Sequence, residues 1–298
     1  MTTASRALLP RACAAAGLSA AHAAGAVPIR LGENEIWRLA HGVVARISRP
    51  GQWSAAAREV AVAHWLRCCG LPAVRPLDDC PGPVEVDLRP VTFWHELPPH
   101  RSARAAELAP LLRRLHGLPA PPAGLRLGRL DPFVRLAERI EGATTLAESQ
   151  RSWLRRRLAD LTAAWAAELP AGRPATVIHG DAWGGNVAVT SDAAYLLDFE
   201  RTALGPPEWD LVSTAVDHRT FGLHSDREYT AFCATYGSDV TTWPGYPLLR
   251  SIRELRAVCY ALQCAADAPH RHREQAHHRL ACLQGRHGPR PWRWTPLG

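Results

Sequence analysis

The sequence predicts an α+β chain in two lobes, a small one rich in strands followed by a larger helical one. Three observations carry this. Residues 35–48 alternate apolar and polar positions in the manner of two strands. The double proline Pro98-Pro99 follows the last strand of this region and is the best semi-rigid hinge in the chain. Beyond it the apolar spacing is mostly helical, with three short strands set into it. The expected lobes are residues 1–96 and 97–298. With 47% hydrophobic and 21% charged residues over 298 positions, the chain can bury a sizeable core, which excludes global disorder. No uninterrupted apolar run approaches the roughly 18 residues of a membrane-spanning helix, which excludes an integral membrane protein.

The elements follow in order. Residues 12–25 are Ala-rich, and Ala21-His22-Ala23 has a faint likeness to a signal-peptidase site. Pro10 and Arg11 interrupt the apolar stretch, so a first amphipathic helix and a cytoplasmic chain are expected. Ile36, Trp37 and Leu39 form one strand, His41-Gly42 a turn, and Val43 to Ile47 the next strand. A helix follows, capped by Ser54, carrying Val62, Trp65, Leu66 and Cys69, and closing at Gly70. Pro72, Pro76, Pro81 and Pro83 mark loops and edge strands. Pro90 to Trp94 is a strand that runs into His95-Glu96-Leu97. Ser102 caps a helix with Leu108, Leu111, Leu112 and Leu115, closed by Gly117. Residues 119–132 form a loop. A long helix with Trp153, Leu154, Leu158, Leu161 and Trp165 ends at Pro170. Strands at 176–178, 187–189 and 194–197 precede a helical remainder and a tail rich in Pro, Trp and Arg.

All 35 Lys and Arg residues are arginine, so any role that needs a basic side chain falls to Arg or His. A net charge of +7 raises the question of nucleic acid. The charges are scattered, however, and the densest run, Arg155-Arg156-Arg157, reads as a solvated helix face. No nucleic-acid-binding motif accompanies it, so no nucleic-acid partner is expected. The eight cysteines include no Cys-x-x-Cys pair, which suits neither a zinc site nor a disulfide framework; reduced, mostly buried thiols are expected. His270, His272, His277 and His278 read as a solvated helix crowded with His and Arg.

The chemistry concentrates in His179-Gly180-Asp181-Ala182-Trp183-Gly184-Gly185-Asn186. Strands 187–189 and 194–197 are joined by a short turn, and a hairpin returns its ends to one place. Asn186 and Asp198, just outside those ends, should therefore lie side by side. Asp181 stands on the loop before them. Two carboxylates and a carboxamide make an all-oxygen set suited to Mg2+, with one carboxylate left to act as a base.

The block Asp198-Phe199-Glu200 continues to Gly205-Pro206-Pro207-Glu208-Trp209-Asp210-Leu211. Together with the preceding motif, it resembles the aminoglycoside phosphotransferase and choline kinase-like family, relatives of protein kinases, over roughly residues 25 to 265. The resemblance implies a two-lobed protein-kinase-like fold and an ATP-dependent (or GTP-dependent) phosphotransferase that uses Mg2+. By it, Asp181 is the catalytic base, Asn186 and Asp198 are metal ligands and His179 braces the loop. Asp210 caps the next helix and holds the loop from behind. Arg46 takes the phosphate-holding place of the third strand, with Glu59 as its helix partner. Leu31-Gly32-Glu33-Asn34 stands where a glycine-rich nucleotide loop is expected, with Asn34 as a side-chain donor. The hinge residues Trp94, His95 and Glu96 would meet adenine through backbone groups, with Phe93 as the gatekeeper.

The resemblance implies a hydroxyl-bearing small molecule as acceptor, an antibiotic first and a metabolite such as choline, a sugar or an amino alcohol second. From residue 201 onward there are nine acidic residues against twelve arginines, which disfavours a polycationic aminoglycoside. A neutral natural product fits at least as well. Trp292 and Trp294 either fold over the substrate cleft or pack. Two other classes stay open: a non-catalytic nucleotide-binding module and a basic nucleic-acid binder.

Overall fold

The computed structural model describes residues 2–32, 34–80, 82–167, 169–295 and 297. Glu33 of the nucleotide loop and the loop marker Pro81 lie outside them. The chain divides into two compact units, Met1–Gly128 with Gly184–Ala203, and Arg129–Trp183 with Leu204–Gly298. The sequence placed the boundary at 96/97, and the difference has a local cause. The hairpin of β8 (Val187–Val189) and β9 (Ala194–Leu196) is built onto first-unit elements. Its β8 pairs with β6 (Arg101–Ser102), and α3 (Ala105–His116) packs on β9.

The first unit holds an antiparallel sheet in the order β1-β2-β3-β5-β4, formed by Val27–Arg30, Glu35–Arg38, Val43–Ile47, Arg89–His95 and Val84–Val86. Side chains alternate between faces along each strand. Val43, Ala45 and Ile47 of β3 join Trp37, Val91 and Phe93 in one core with Leu8, Leu9, Ala12 and Cys13 of α1 (Thr2–Ala15). Arg46 consequently points to the opposite face, toward α2 (Trp53–Cys68). A buried polar network ties α1 to the sheet: Ser5 Oγ and Arg89 both donate to Glu35 Oε1, at 2.7 and 3.0 Å.

Several helix ends differ from expectation. The first helix spans Thr2–Ala15, with Pro10 inside it, and stops before the Ala-rich run is finished. Gly17, at φ 74°, turns the chain there. Helix α2 begins at Trp53 rather than after Ser54. Helix α3 is preceded by Arg104, whose amide donates to Glu107 Oε2, while Ser102 lies in β6. Gly184 sits where the Ala103 amide donates to its carbonyl at 3.0 Å. A Cβ there would lie 2.3 Å from the Ala103 oxygen, so only glycine permits this backbone approach. Gly184→Ala is expected to cost at least about 2 kcal/mol of stability, read from urea unfolding.

The second unit comprises α4 (Leu136–Glu141), α5 (Glu148–Ala166), β7 (Thr176–Ile178), β10 (Ala203–Gly205, entering from the first unit), α6 (Glu208–Val216), α7 (Asp226–Tyr236), α8 (Tyr246–Asp267) and α9 (Pro269–Leu283). Helix α8 is the centre of its packing and touches α4, α5, α6 and α9. Its buried stripe includes Leu249, Ile252, Leu255, Val258 and Leu262, at the three- and four-residue spacing of an apolar helix face. Among the described residues, no helix is long and apolar enough to cross a membrane.

Candidate active site

In the first unit, the two hairpin ends meet as expected. The Leu197 amide donates to the Asn186 carbonyl at 2.9 Å, which sets Asn186 beside the residue preceding Asp198. Asp198 has φ 61°, a left-handed conformation that costs a residue with a Cβ about 1–3 kcal/mol. Such strain is held only where the surroundings fix it.

Here the surroundings are charged. Arg46 Nη1 donates to Glu59 Oε1 at 2.5 Å and to Asp198 Oδ1 at 3.1 Å, and Nη2 donates to Glu200 Oε2 at 2.8 Å. Arg58 donates to the Glu200 carbonyl at 3.2 Å. Three carboxylates thus face one guanidinium, an excess of negative charge that a divalent cation can neutralise. Burial pushes the Glu59 carboxyl up, Asp198 and Glu200 add to the rise, and Arg46 pulls against it. Burial also acts to lower Arg46, but the carboxylates overcome it and raise the guanidinium above its ordinary range. Arg46 is therefore a permanent cation.

The donors fit Mg2+, which takes hard oxygen ligands. Asp198 and Glu200 keep 28% and 30% of their side chains exposed, so an ion can reach them, and Asn186 supplies a buried carboxamide. Among the described residues Arg46 Nε has no hydrogen-bond partner, which leaves the fork one donor in reserve.

In the second unit, Asp210 is fully buried in the first turn of α6 and accepts the His179 and Gly180 amides at 2.7 and 2.9 Å. It holds the loop from behind, as the resemblance implied. It does not cap α6, whose preceding residue is Pro207 with no side-chain cap. Gly180 takes φ 81°, and its carbonyl accepts the Trp209 indole N–H at 2.9 Å. The Asp181 amide donates to Nδ1 of the buried His179 at 3.4 Å. The Asp181 carboxylate is 40% exposed, with Arg253 Nη1 3.7 Å from its Oδ1. Arg253 lies 4.2 Å over the Trp209 ring and donates to the Trp209 carbonyl at 3.1 Å. Burial lowers its pKa, against Asp181, Asp210 and Asp217.

The structure thus gathers Asn34, Arg46, Glu59, Asn186 and Asp198 in the first unit, and places Asp181 with His179 and Asp210 in the second. Phe93 departs from expectation, and Asn34 and two hinge amides are bonded within the chain. Asn34 Nδ2 donates to Glu200 Oε2 at 2.9 Å, so it is tied to the carboxylate cluster. Phe93 pairs with Ala45 and packs in the α1 core, because the strand pleat turns it away from the Arg46 face; Trp94 takes that face opposite Val44. The His95 and Glu96 amides donate to the Arg75 and Gly42 carbonyls at 2.9 and 2.7 Å, so these two N–H groups are engaged within the chain. The Glu96 carboxylate pairs with Arg38 and the Trp94 indole with Thr92.

Sequence reading missed Glu200, Arg58, Trp209 and Arg253 as site residues. Glu200 and Trp209 stand inside the quoted blocks and carry that signal. Arg58, beside Glu59, and Arg253, one of twelve arginines beyond residue 200, carry none.

The model of the phosphotransferase enzyme family (APH) matches residues 28–252. A search of the curated proteins finds no significant match. Among solved structures, a choline/ethanolamine kinase family protein from Mesorhizobium loti aligns with a TM-score of 0.62 at 19% identity, over 95% of this chain and 94% of that one. A spectinomycin phosphotransferase solved with ADP and spectinomycin aligns at 0.59 and 12% identity, over 90% of each chain. A macrolide 2'-phosphotransferase from Brachybacterium faecium aligns at 0.56 and 19% identity, over 91% of this chain and 97% of that one. The fold is that of small-molecule kinases. The chain belongs to the APH phosphotransferase enzyme family.

Proposed function

We propose that this chain transfers the γ-phosphoryl group of ATP to a hydroxyl of a small molecule, an antibiotic first and a metabolite second. The observation that carries the reading is the Arg46 cluster. A guanidinium held by a helix carboxylate and adjoining a carboxylate at a hairpin end is the set that phosphoryl transfer needs to hold phosphates and their metal. Asn186 and Asp198 would hold Mg2+, which when bound neutralises charge on the phosphate oxygens. Asp181 orients the acceptor hydroxyl and takes its proton, and His179, Asp210 and Arg253 fix the loop that presents it.

ADP formation measured over a panel of antibiotics and metabolites tests this. Acceptor-dependent turnover supports it. ATP binding with no acceptor-dependent ADP across the panel favours the non-catalytic nucleotide-binding module instead.

A second observation favours an acceptor that is not polycationic. The second unit has a cavity of about 710 Å³, lined by His218, Arg219, Phe221, Arg290, Arg293 and Trp294 among others. Trp294 is 2% exposed and stacks on Phe221 at 5.0 Å and on Trp292 at 5.4 Å, so the tail packs against this wall. Arg219 and Arg293 line it with Asp226 as its acidic residue, while Arg290 is paired with Glu254, a wall that suits a neutral or anionic molecule better than a polyamine.

Asp198→Ala is expected to lose the Mg2+-dependent part of the ATP-induced melting shift. An undiminished Mg2+-dependent shift in the variant contradicts the ligand role.

A further inference from the structure

Outside the phosphotransfer site, two imidazoles converge on one sulfur. His278 and Cys282 are four residues apart on α9 and so lie on one face, one turn apart. The helix then ends in a tight left-handed reversal. Gly285 has φ 74°, its amide donates to the Cys282 carbonyl at 3.0 Å, and the Arg286 amide donates to the Ala281 carbonyl at 3.0 Å. This turn brings His287 back onto the helix, its ring 4.6 Å from that of His278 at an interplanar angle of 66°. One ligand atom from each of His278, Cys282 and His287 lies within 4.8 Å of the other two.

We propose that His278, Cys282 and His287 form a Zn2+ site. Bonds of about 2.3 Å to sulfur and 2.05 Å to nitrogen, at a tetrahedral angle, separate the two ligand atoms by about 3.6 Å. The Cys282 Sγ to His278 Nε2 distance is 3.6 Å. A thiol–imidazole hydrogen bond has the same length, but it needs one ring and gives no reason for the second. Nitrogen and thiolate donors select Zn2+ over Mg2+ or Ca2+. Cys282 is buried and His287 exposed, so a fourth position opens to water on the His287 side. Among the described residues the buried Trp294 indole N–H has no hydrogen-bond partner, and it is near enough to act on the Cys282 thiol, so it can donate to a bound thiolate. Binding releases the thiol proton to solvent. The ion would clamp the end of α9 to the tail residue that stacks on Phe221.

The test uses the full-length chain, reduced and stripped of metal, titrated with Co2+ as a spectroscopic probe. One equivalent should develop a thiolate-to-cobalt absorption band, and one equivalent of Zn2+ should bleach it. Cys282→Ser should lose the band, and His287→Ala, a change at an exposed side chain, should weaken Co2+ binding at least about tenfold. A Cys68→Ser/Cys69→Ser variant should keep the band unchanged. No saturable band in the unaltered protein, a band that survives Cys282→Ser, or unchanged Co2+ affinity in His287→Ala each overturns the site.

Discussion

Asp181→Asn is expected to slow phosphoryl transfer by about 10²–10⁴-fold, the usual consequence of removing a general base. Nucleotide affinity should hardly change. The variant keeps the size of the side chain and leaves the loop's fixings alone. The Asp210 bonds to the His179 and Gly180 amides do not involve the Asp181 carboxylate. Arg253, buried on its side of the 3.7 Å pair, still faces Asp210 and Asp217 in the variant, so the loss of the Asp181 charge should cost little stability. Single-turnover kinetics separate the chemical step from binding. Near-normal turnover would show that the acceptor hydroxyl gives up its proton elsewhere.

Arg46→Ala is expected to weaken ATP use most severely among small-lobe changes, and also to destabilise the fold. Removing one partner of a buried ion pair leaves the other charge uncompensated, at about 3–5 kcal/mol. Here Glu59, 2% exposed, would be left facing Asp198 and Glu200 without a cation. The pH dependence has a definite sign. The folded-state pKa of Glu59 already lies above its unfolded value, and losing Arg46 raises it further. A carboxyl raised in the folded state favours folding while protonated, and that stability falls as pH rises from the unfolded pKa through the folded one. The melting deficit of Arg46→Ala should therefore be smaller near pH 5 than near pH 8. Arg46→Lys should recover only part of the activity, because a single ammonium cannot reach Glu59, Asp198 and Glu200 in the geometry of the fork. Glu59→Ala should give a milder defect, and the double variant should be less than additive. Unaltered kinetics for ATP in Arg46→Ala would mean that another group holds the phosphates.

The candidate site was legible where local geometry decides it. A hairpin must bring its ends together, so Asn186 and Asp198 could be paired from spacing alone. Arg46 could be singled out because the chain offers no lysine for its place. What was not legible depends on register and on distant packing. Phe93 and Trp94 are equally apolar neighbours, and only pairing with β3 decides which of them faces Arg46. Arg253 reaches Asp181 from α8, far along the chain, and nothing in its own helical pattern separates it from the other arginines. The compact units differ from the expected lobes for a related reason, since Pro98-Pro99 is a strong local signal but the pairing of β6 with β8 carries the first unit past it.

The choice of guanidinium over amine at position 46 changes which reagents can report on the nucleotide site. Acyl phosphates of ATP mark kinases by acylating a primary amine beside the phosphates, and this chain has no lysine side chain to accept the acyl group. A dicarbonyl that condenses with guanidinium is the corresponding probe. At 7% exposure, Arg46 would react only as fast as the three carboxylates around it let go. The labelling rate is then a clock for the opening of that cluster, and bound nucleotide should slow it.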